Sequence, residues 1–402
     1  MSAEERTLPV SRLTSKRRHP LLWLFRMLNL DRRLELCLDQ NAAYETKENA
    51  RPRLHVSHPN RMLARLLLRG DLGFAESYIA GEWRTADLTA LLAAIGANNT
   101  GSAVRKGMRL ERLRERLLHA LRNNSKRGSR RNIAYHYDLS NDFYALWLDP
   151  GMTYSSAIFE QPGEQLERAQ QHKYRRLLDA LQARPGDHIL EIGCGWGGFA
   201  EEAARRGYRV TGVTLSQQQL GYASMRIRNA GLEDRVKLEF RDYRDIQESY
   251  DHIVSIEMFE AVGEEYWQGY FDRLRDSLRP GGTAALQIIT IDDRAFESYR
   301  KKADFIQKYI FPGGMLPSPE RLERLARDSG LQVNTLSLHG LDYARTLHGW
   351  HRAFDRQREA ISALGFDDRF RRMWKYYLSY CEAGFLLGRI NLAQLSLSHA
   401  RT

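Results

Sequence analysis

Cysteine is scarce in this 402-residue chain: Cys37, Cys194 and Cys381 lie far apart with no paired spacing, so neither a disulfide framework nor a zinc site is indicated. Long apolar runs are also missing. The longest, PLLWLF near residue 20 and LTALLAAIGA from Leu88, fall well short of the roughly 20 residues that cross a bilayer. No internal repeat or low-complexity tract is present. The N-terminus, MSAEERTL, carries two early acids, and the apolar run behind it is broken by Arg26. That makes a poor secretory signal, and a cytoplasmic location is expected. What remains is ordinary globular material, since 43% hydrophobic and 28% charged residues exclude a disordered or collagen-like chain. Domains usually run to about 100–200 residues, so the length fits two better than one.

The formal net charge of +11 is concentrated rather than spread. Between Val104 and Arg131 eleven basic residues face two acids, Glu111 and Glu115. The segment starts with Met108, Leu110, Leu113, Leu117, Leu118 and Leu121 near helical spacing and ends in RNNSKRGSRRN, so it reads as an amphipathic helix running into a linker. The domain boundary is placed there: 1–103 as an N-terminal domain, 104–131 as the basic helix and linker, 132–402 as a second domain. A smaller cluster, Lys16, Arg17 and Arg18, precedes HPLLWLFRML. Positive charge beside Leu, Trp and Phe suits the headgroup region of an anionic membrane, and equally a solvated face over a core helix. Residues 51–97 combine a strand-like RLHVS with helical stretches and the glycine-punctuated GDLGFAESYIAGEW, an α+β or mostly helical pattern.

From Asp187 the string DHILEIGCGWGGFAEEAARRGYRVTGVTLS reads as strand, glycine-rich turn, helix, strand. Ile189, Leu190 and Ile192 form a short buried strand, and the glycines from Gly193 to Gly198 let the backbone approach a ligand. The string satisfies GxGxxG. A dinucleotide fold, however, wants an acid at the end of the next strand, about 20 residues on, and Val213, Thr214, Leu215 and Ser216 supply none. Glu191, two residues before the first glycine, fits instead the first motif of S-adenosylmethionine (SAM) dependent methyltransferases. VKLEFRDY with Asp242, YDHIVSIEMFEAVG and LRPGGTAALQIITI continue the strand–helix alternation. The expectation is an α/β fold of the class I SAM-methyltransferase, Rossmann-like type: a mainly parallel sheet with its ligand at the C-terminal ends of the strands.

Several strings together resemble the cyclopropane fatty acyl phospholipid synthases and related SAM-dependent lipid methyltransferases. AYHYDLSNDFYALWLDPGMTYSSAIF, LEIGCGWGGF, GVTLSQQQ, MFEAVG, KYIFPGGMLPS, LDYARTLHGW and YYLSYCEAGF occur in that family's order across most of residues 133–395. GDLGFAESYIAGEW resembles the N-terminal domain of the bacterial enzymes. The resemblance implies that Tyr154, Ser155, Gly193, Gly195, Thr214, Gln219 and Tyr243 surround SAM. Their chemistry is compatible, since Thr214 and Gln219 can replace the missing acid as ribose partners and Tyr243 can cover the adenine, while an ordinary cap or turn role is equally open to each polar side chain. It also implies methyl transfer from a sulfonium to a carbon–carbon double bond within an acyl chain. An alkene is a feeble nucleophile, so such a site must align the π electrons with the methyl carbon, exclude water and tolerate a carbocation. Tyr137, Tyr309 and Tyr343, all in family strings, are candidates to stabilise that cation through their ring faces. Family members hold a bicarbonate ion that accepts the departing proton. The corresponding positions are Ser156, Glu260, Gln287, Ile289 and Tyr343, with Glu260 expected to orient the anion.

Two positions depart from the family pattern: its usual Cys is Ser156 here, and its usual His is Gln287. A contact through the backbone amide survives the first change. The second keeps a hydrogen-bond donor but cannot carry positive charge or relay a proton. Proton removal is the step these changes touch. The cation can lose a proton from the added methyl to close a cyclopropane, the family default, or from a neighbouring carbon to leave a methyl-branched alkene. SIEMFEAVG and DFIQKYIFPGGMLPS resemble the branch that methylates unsaturated chains, including those destined for furan fatty acids. The aromatic stretch from Trp350 to Phe385 suits an acyl channel or an ordinary core. Nucleic-acid methylation, which a basic segment beside a SAM fold would serve, lacks its motifs: no Asn or Asp precedes Pro-Pro-aromatic, and there is no Pro-Cys pair. The expected partners are unsaturated phospholipid acyl chains at the inner membrane surface, reached peripherally, with a homodimer as a candidate assembly. SAM is the expected cofactor and bicarbonate a further candidate.

Overall fold

A computed structural model describes residues 19–38, 51–98 and 139–400. The basic segment 104–131, the Lys16–Arg18 cluster and Tyr137 lie outside the described residues. The chain divides into two compact units, Met1–Arg109 and Leu110–Thr402.

The first unit contains α1 (Pro20–Met27), β1 (Glu35–Cys37), β2 (Arg53–Val56), α2 (Pro59–Ile79), β3 (Trp83–Arg84) and α3 (Leu88–Gly96). Its strands form one sheet, β1 parallel to β2 and β3 antiparallel to β2. The glycine spacing of GDLGFAESYIAGEW follows from a kink. Gly70, at φ +53°, leaves the helical torsions of α2, and Gly73 approaches the Arg65 carbonyl so closely that a Cβ would strike it. Beyond the kink Trp83 is buried, stacks on Phe74 at 4.5 Å and donates its indole N–H to Ser77 Oγ at 2.8 Å. Truncating a ring buried in this way costs about 3–5 kcal/mol.

The second unit is a doubly wound sheet. α4 (Asn141–Ala145) and α5 (Leu166–Leu181) lead into β4 (His188–Ile192), α6 (Gly198–Arg205), β5 (Arg209–Thr214), α7 (Gln217–Asn229), β6 (Val236–Phe240), β7 (Tyr250–Ile256), α8 (Trp267–Ser277) and β8 (Leu278–Ile291). Then come α9 (Asp293–Tyr299), α10 (Phe305–Tyr309), α11 (Pro319–Asp328), β9 (Leu331–Leu338), α12 (Gly340–Arg356), α13 (Arg358–Ala363), α14 (Asp368–Leu386) and β10 (Ile390–His399). The strand order is β6-β5-β4-β7-β8-β10-β9. The first five strands run parallel, and β10 is antiparallel to β8 and β9.

β4 reads as a nearly continuous apolar run because strands flank it on both sides and helices cover both faces. One covering layer includes Leu177, Leu181, Phe199 and Ile227, the other Trp267, Phe271, Leu274 and Leu322. From β4 the chain goes to β5 on one side and later returns to β7 on the other. That reversal opens a crevice at the C-terminal strand ends, where such sheets bind ligands. Among the described residues no helix is long and apolar enough to cross a membrane, and no metal-binding cluster occurs.

Candidate active site

The turn after β4 is shaped by backbone torsion. Gly193 (φ +85°) donates its N–H to the Val213 carbonyl at 3.0 Å, and a Cβ there would lie 2.9 Å from Met258 Cγ. Gly195 (φ +52°) has open space where its Cβ would be. With Tyr154, Ser155, Thr214, Gln219 and Tyr243 these glycines line one cavity, so the residues expected around SAM share a wall. The Thr214 hydroxyl donates to Gln219 Oε1 at 3.0 Å. Asp242 accepts both Arg244 Nε and a terminal Arg244 nitrogen, at 2.9 and 2.7 Å, which neutralises its charge within the chain.

In the cavity wall, Glu191 Oε2 is buried and accepts no hydrogen bond among the described residues. Burial holds this carboxyl well above its ordinary value. Open glycine backbone, an acceptor awaiting a donor and the Tyr243 ring fit a ligand with a cationic amino-acid end and a flat base. Gly193→Val is therefore expected to weaken SAM binding at least about tenfold without altering the far-ultraviolet circular dichroism, because it joins positive φ to a clash with Met258. Wild-type affinity by calorimetry would remove the turn from the site.

The residues expected around an anion gather instead around a carboxylate of the chain. Glu257 follows β7 directly, at φ +52°, with its N–H on the Gln287 carbonyl at 2.8 Å. Its Oε1 accepts from Ser156 N at 2.8 Å and from Gln287 Nε2 at 2.8 Å, and its Oε2 accepts from the Tyr343 hydroxyl at 2.6 Å. The Ser156 hydroxyl turns away to the Ala157 carbonyl, so the contact with Glu257 is a backbone one that a Cys-to-Ser change leaves intact. Glu260 Oε1 accepts from Ile289 N at 2.5 Å, and its buried Oε2 accepts no hydrogen bond among the described residues.

The resemblance implied five positions around bicarbonate. Ser156, Gln287 and Tyr343 converge on Glu257, and Ile289 converges on Glu260. The Ser156, Gln287 and Tyr343 donors are all engaged by Glu257 and the Ile289 donor by Glu260. A separate anion here meets the Glu257 carboxylate with those four donors already taken, and bicarbonate does not fit this arrangement. Burial raises the Glu257 carboxyl, while the Tyr343 hydrogen bond, the Lys173 charge and the Ser156 and Gln287 donors pull it back. Burial, reinforced by the Glu257 charge, pushes Glu260 up to about 8. The two titrate as a coupled pair in which Glu257, with three donors, ionises first and Glu260 keeps a proton near neutrality.

Lys173 and Glu257 are the residues that motif reading passed over. Lys173 is fully buried on α5, donates to Ser155 Oγ at 2.6 Å, and feels the charges of Glu257, Asp149 and Glu191. Burial pulls its ammonium down to about 7. One turn earlier Gln170 donates to the Ser155 carbonyl at 2.8 Å, so two side chains of α5 hold the segment shared by the cavity and the carboxylate pair. The signal for Lys173 was present in the row Ala169, Lys173, Leu177, Leu181, an i,i+4 stripe with one polar member. Glu257 was legible as a second acid three residues before Glu260, at the end of an apolar strand.

The remaining aromatic candidates divide. Tyr343 is buried and stacks on Phe385 at 4.4 Å. Tyr309 sits on α10 against Phe305 at 5.4 Å. Phe354, Phe366, Phe370 and Trp374 pack around Phe143, with Phe354 and Trp374 fully in the core. Tyr376 and Tyr380 flank Phe305, whereas the Tyr377 hydroxyl bonds that of Tyr154 at 2.8 Å. Cys381 is a thiol raised by burial.

Residues 124–395 match the family model for mycolic acid cyclopropane synthetase. The chain is 39% identical over 383 residues to tuberculostearic acid methyltransferase UfaA1 of Mycobacterium tuberculosis, spanning 90% of this chain and 87% of that one. It is 34% identical over 355 residues to the cyclopropane-fatty-acyl-phospholipid synthase of Escherichia coli, spanning 86% and 87%. The crystal structure of mycolic acid cyclopropane synthase CmaA1 complexed with SAH and CTAB aligns with a TM-score of 0.64 at 31% identity, over 67% of this chain and 97% of that one. With these relatives and the glycine-lined cavity, SAM is the cofactor, and the chain belongs to the cyclopropane fatty acyl phospholipid synthase family of SAM-dependent lipid C-methyltransferases.

Proposed function

We propose that this enzyme transfers a methyl group from SAM to a carbon–carbon double bond in the acyl chain of a phospholipid at a membrane surface. One observation carries the reading: Ser155 lines the glycine-walled cavity while the next residue, Ser156, donates its N–H to Glu257. The donor cavity and a proton-accepting pair thus adjoin on a single segment. SAM, when bound, supplies an electrophilic methyl on a sulfonium. The chain must hold the alkene in line, keep water away and accommodate positive charge. Rings stand beside the carboxylate, with Tyr343 on Phe385, Trp350 against Tyr343 at 6.2 Å and against Tyr154 at 5.4 Å. Their faces stabilise a cation without capturing it.

The alkene π pair forms the bond to the methyl carbon and leaves its partner carbon cationic. Loss of a proton from the new methyl closes a cyclopropane, the family default. Loss from a neighbouring carbon leaves a methyl-branched alkene, a second reading favoured by the likeness to a tuberculostearic acid methyltransferase. Methyl-labelled SAM offered with unsaturated phospholipid vesicles or RNA is expected to label lipid, and proton NMR of the product separates ring from alkene. Label in RNA alone overturns the assignment.

Membrane apposition is supported by α1, where Trp23 and Met27 are 66% and 46% exposed, four residues apart on one face with exposed Arg26 between. Apolar and cationic groups so placed suit the bilayer interface. Binding to anionic vesicles is expected to weaken with salt, the screening length being about 10 Å at 0.1 M, and to weaken in Trp23→Ser. Equal affinity for neutral vesicles at low salt would count against it.

A further inference from the structure

We propose that Glu257 is the base that removes the proton, a tethered carboxylate standing where the family resemblance implies a free bicarbonate ion, so that this chain turns over without bicarbonate. The inference rests on the alkene-methylation reading above and names the group that completes it.

The lone pairs of Glu257 carry the argument. Oε1 is filled by Ser156 N and Gln287 Nε2, and Oε2 is bonded by the Tyr343 hydroxyl, so the remaining lone pair directed at a new proton is on Oε2. The donors are held from behind. Gln394 Nε2 donates to Gln287 Oε1 at 2.9 Å, and Arg176 Nε donates to Gln394 Oε1 at 3.3 Å. An arginine only donates, so it fixes both amides in series with their N–H groups pointing toward Glu257. A Gln at position 287 is then the right residue: the site needs a fixed donor to a carboxylate rather than a proton relay. Beside Glu257, Glu260 keeps its proton near neutrality. The pair then offers one negative charge and one acidic proton, the inventory of a bicarbonate ion.

A C–H bond of the cationic chain breaks, and the proton passes to Glu257 Oε2. The C–H electron pair becomes the third ring bond or the new double bond. The neutral carboxylic acid then releases its proton before the next turnover.

Position 257 supplies its own test, because φ +52° suits glycine better than glutamate. In CO2-depleted buffer, with labelled SAM and unsaturated phosphatidylglycerol vesicles, the wild-type rate is expected to be unchanged by added bicarbonate. Glu257→Gly is expected to lose about 100-fold in that buffer, the scale of a missing general base, and to recover with millimolar bicarbonate. A bound 13C-bicarbonate NMR signal is expected from Glu257→Gly and not from wild type. A wild-type rate that collapses on depletion, wild-type binding of 13C-bicarbonate, or a Glu257→Gly variant at full speed without bicarbonate each overturns the proposal. If wild type labels no lipid in either buffer, the methyl-transfer reading fails, while the 13C comparison still decides whether an external anion binds.

Discussion

Glu257→Gln is expected to lose about two to four orders of magnitude in kcat, the range for a positioned general base, with SAM affinity retained. The amide keeps the shape. Its oxygen can accept from Ser156 N and Gln287 Nε2 as Oε1 does now, and its NH2 can meet the Tyr343 oxygen. The NH2 standing in place of Oε2 has no basic lone pair with which to take a proton. The stability of this variant is a separate signature. Burial raises the Glu257 carboxyl above its ordinary value, so above the unfolded-state value the folded chain binds the proton more tightly than the unfolded chain does. Wild-type stability from this group therefore falls as pH rises through that window, and the neutral amide escapes the loss. An inactive variant at least as stable as wild type at pH 8, in urea titrations, is the expected pair of results. Inactivity with a large loss of stability would assign Glu257 a structural role instead.

Glu260→Gln is expected to separate from wild type in stability rather than in chemistry. Glu260 stands at about 8, raised by burial and by the Glu257 charge. The folded state holds this proton between about pH 4.5, the unfolded value, and pH 8, so wild type loses stability as pH climbs across that window. The variant should gain a few kcal/mol over wild type at pH 9, roughly 1.4 kcal/mol per unit of displaced titration with losses to relaxation, and almost nothing at pH 4.5. Turnover at pH 7 should persist, because the amide reproduces the protonated acid that accepts from Ile289 N. Urea midpoints at the two pH values decide it, and a difference independent of pH would mean that Glu260 is ionised in the fold throughout.

Much of the catalytic unit was readable because its signals are local. The apolar run Ile189 to Ile192, the glycines behind it and the absence of an acid after β5 lie within a short stretch of chain, and the torsions at Gly193 and Gly195 follow from them. The cluster around Glu257 was harder to read because it is assembled at long range. Ser156, Glu257, Gln287 and Tyr343 come from separate parts of the chain, and strand alternation cannot foretell that a glutamate will adopt positive φ and turn its carboxylate under a distant amide. The aromatics after Trp350 show the same limit. Composition cannot separate Phe370, packed on Phe143, from Tyr377, bonded to Tyr154. The Ser156 and Gln287 departures acquire a common cause once Glu257 lies between them.

The left-handed backbone at residue 257 has a genetic corollary. Glutamate and glycine codons differ in their middle base alone, and a torsion that glycine prefers is already in place. A lineage can therefore cross between a self-sufficient enzyme and one that draws its base from dissolved carbon dioxide in a single nucleotide step, without refolding the strand end. Lipid tailoring would then become sensitive or indifferent to ambient gas through one inherited substitution.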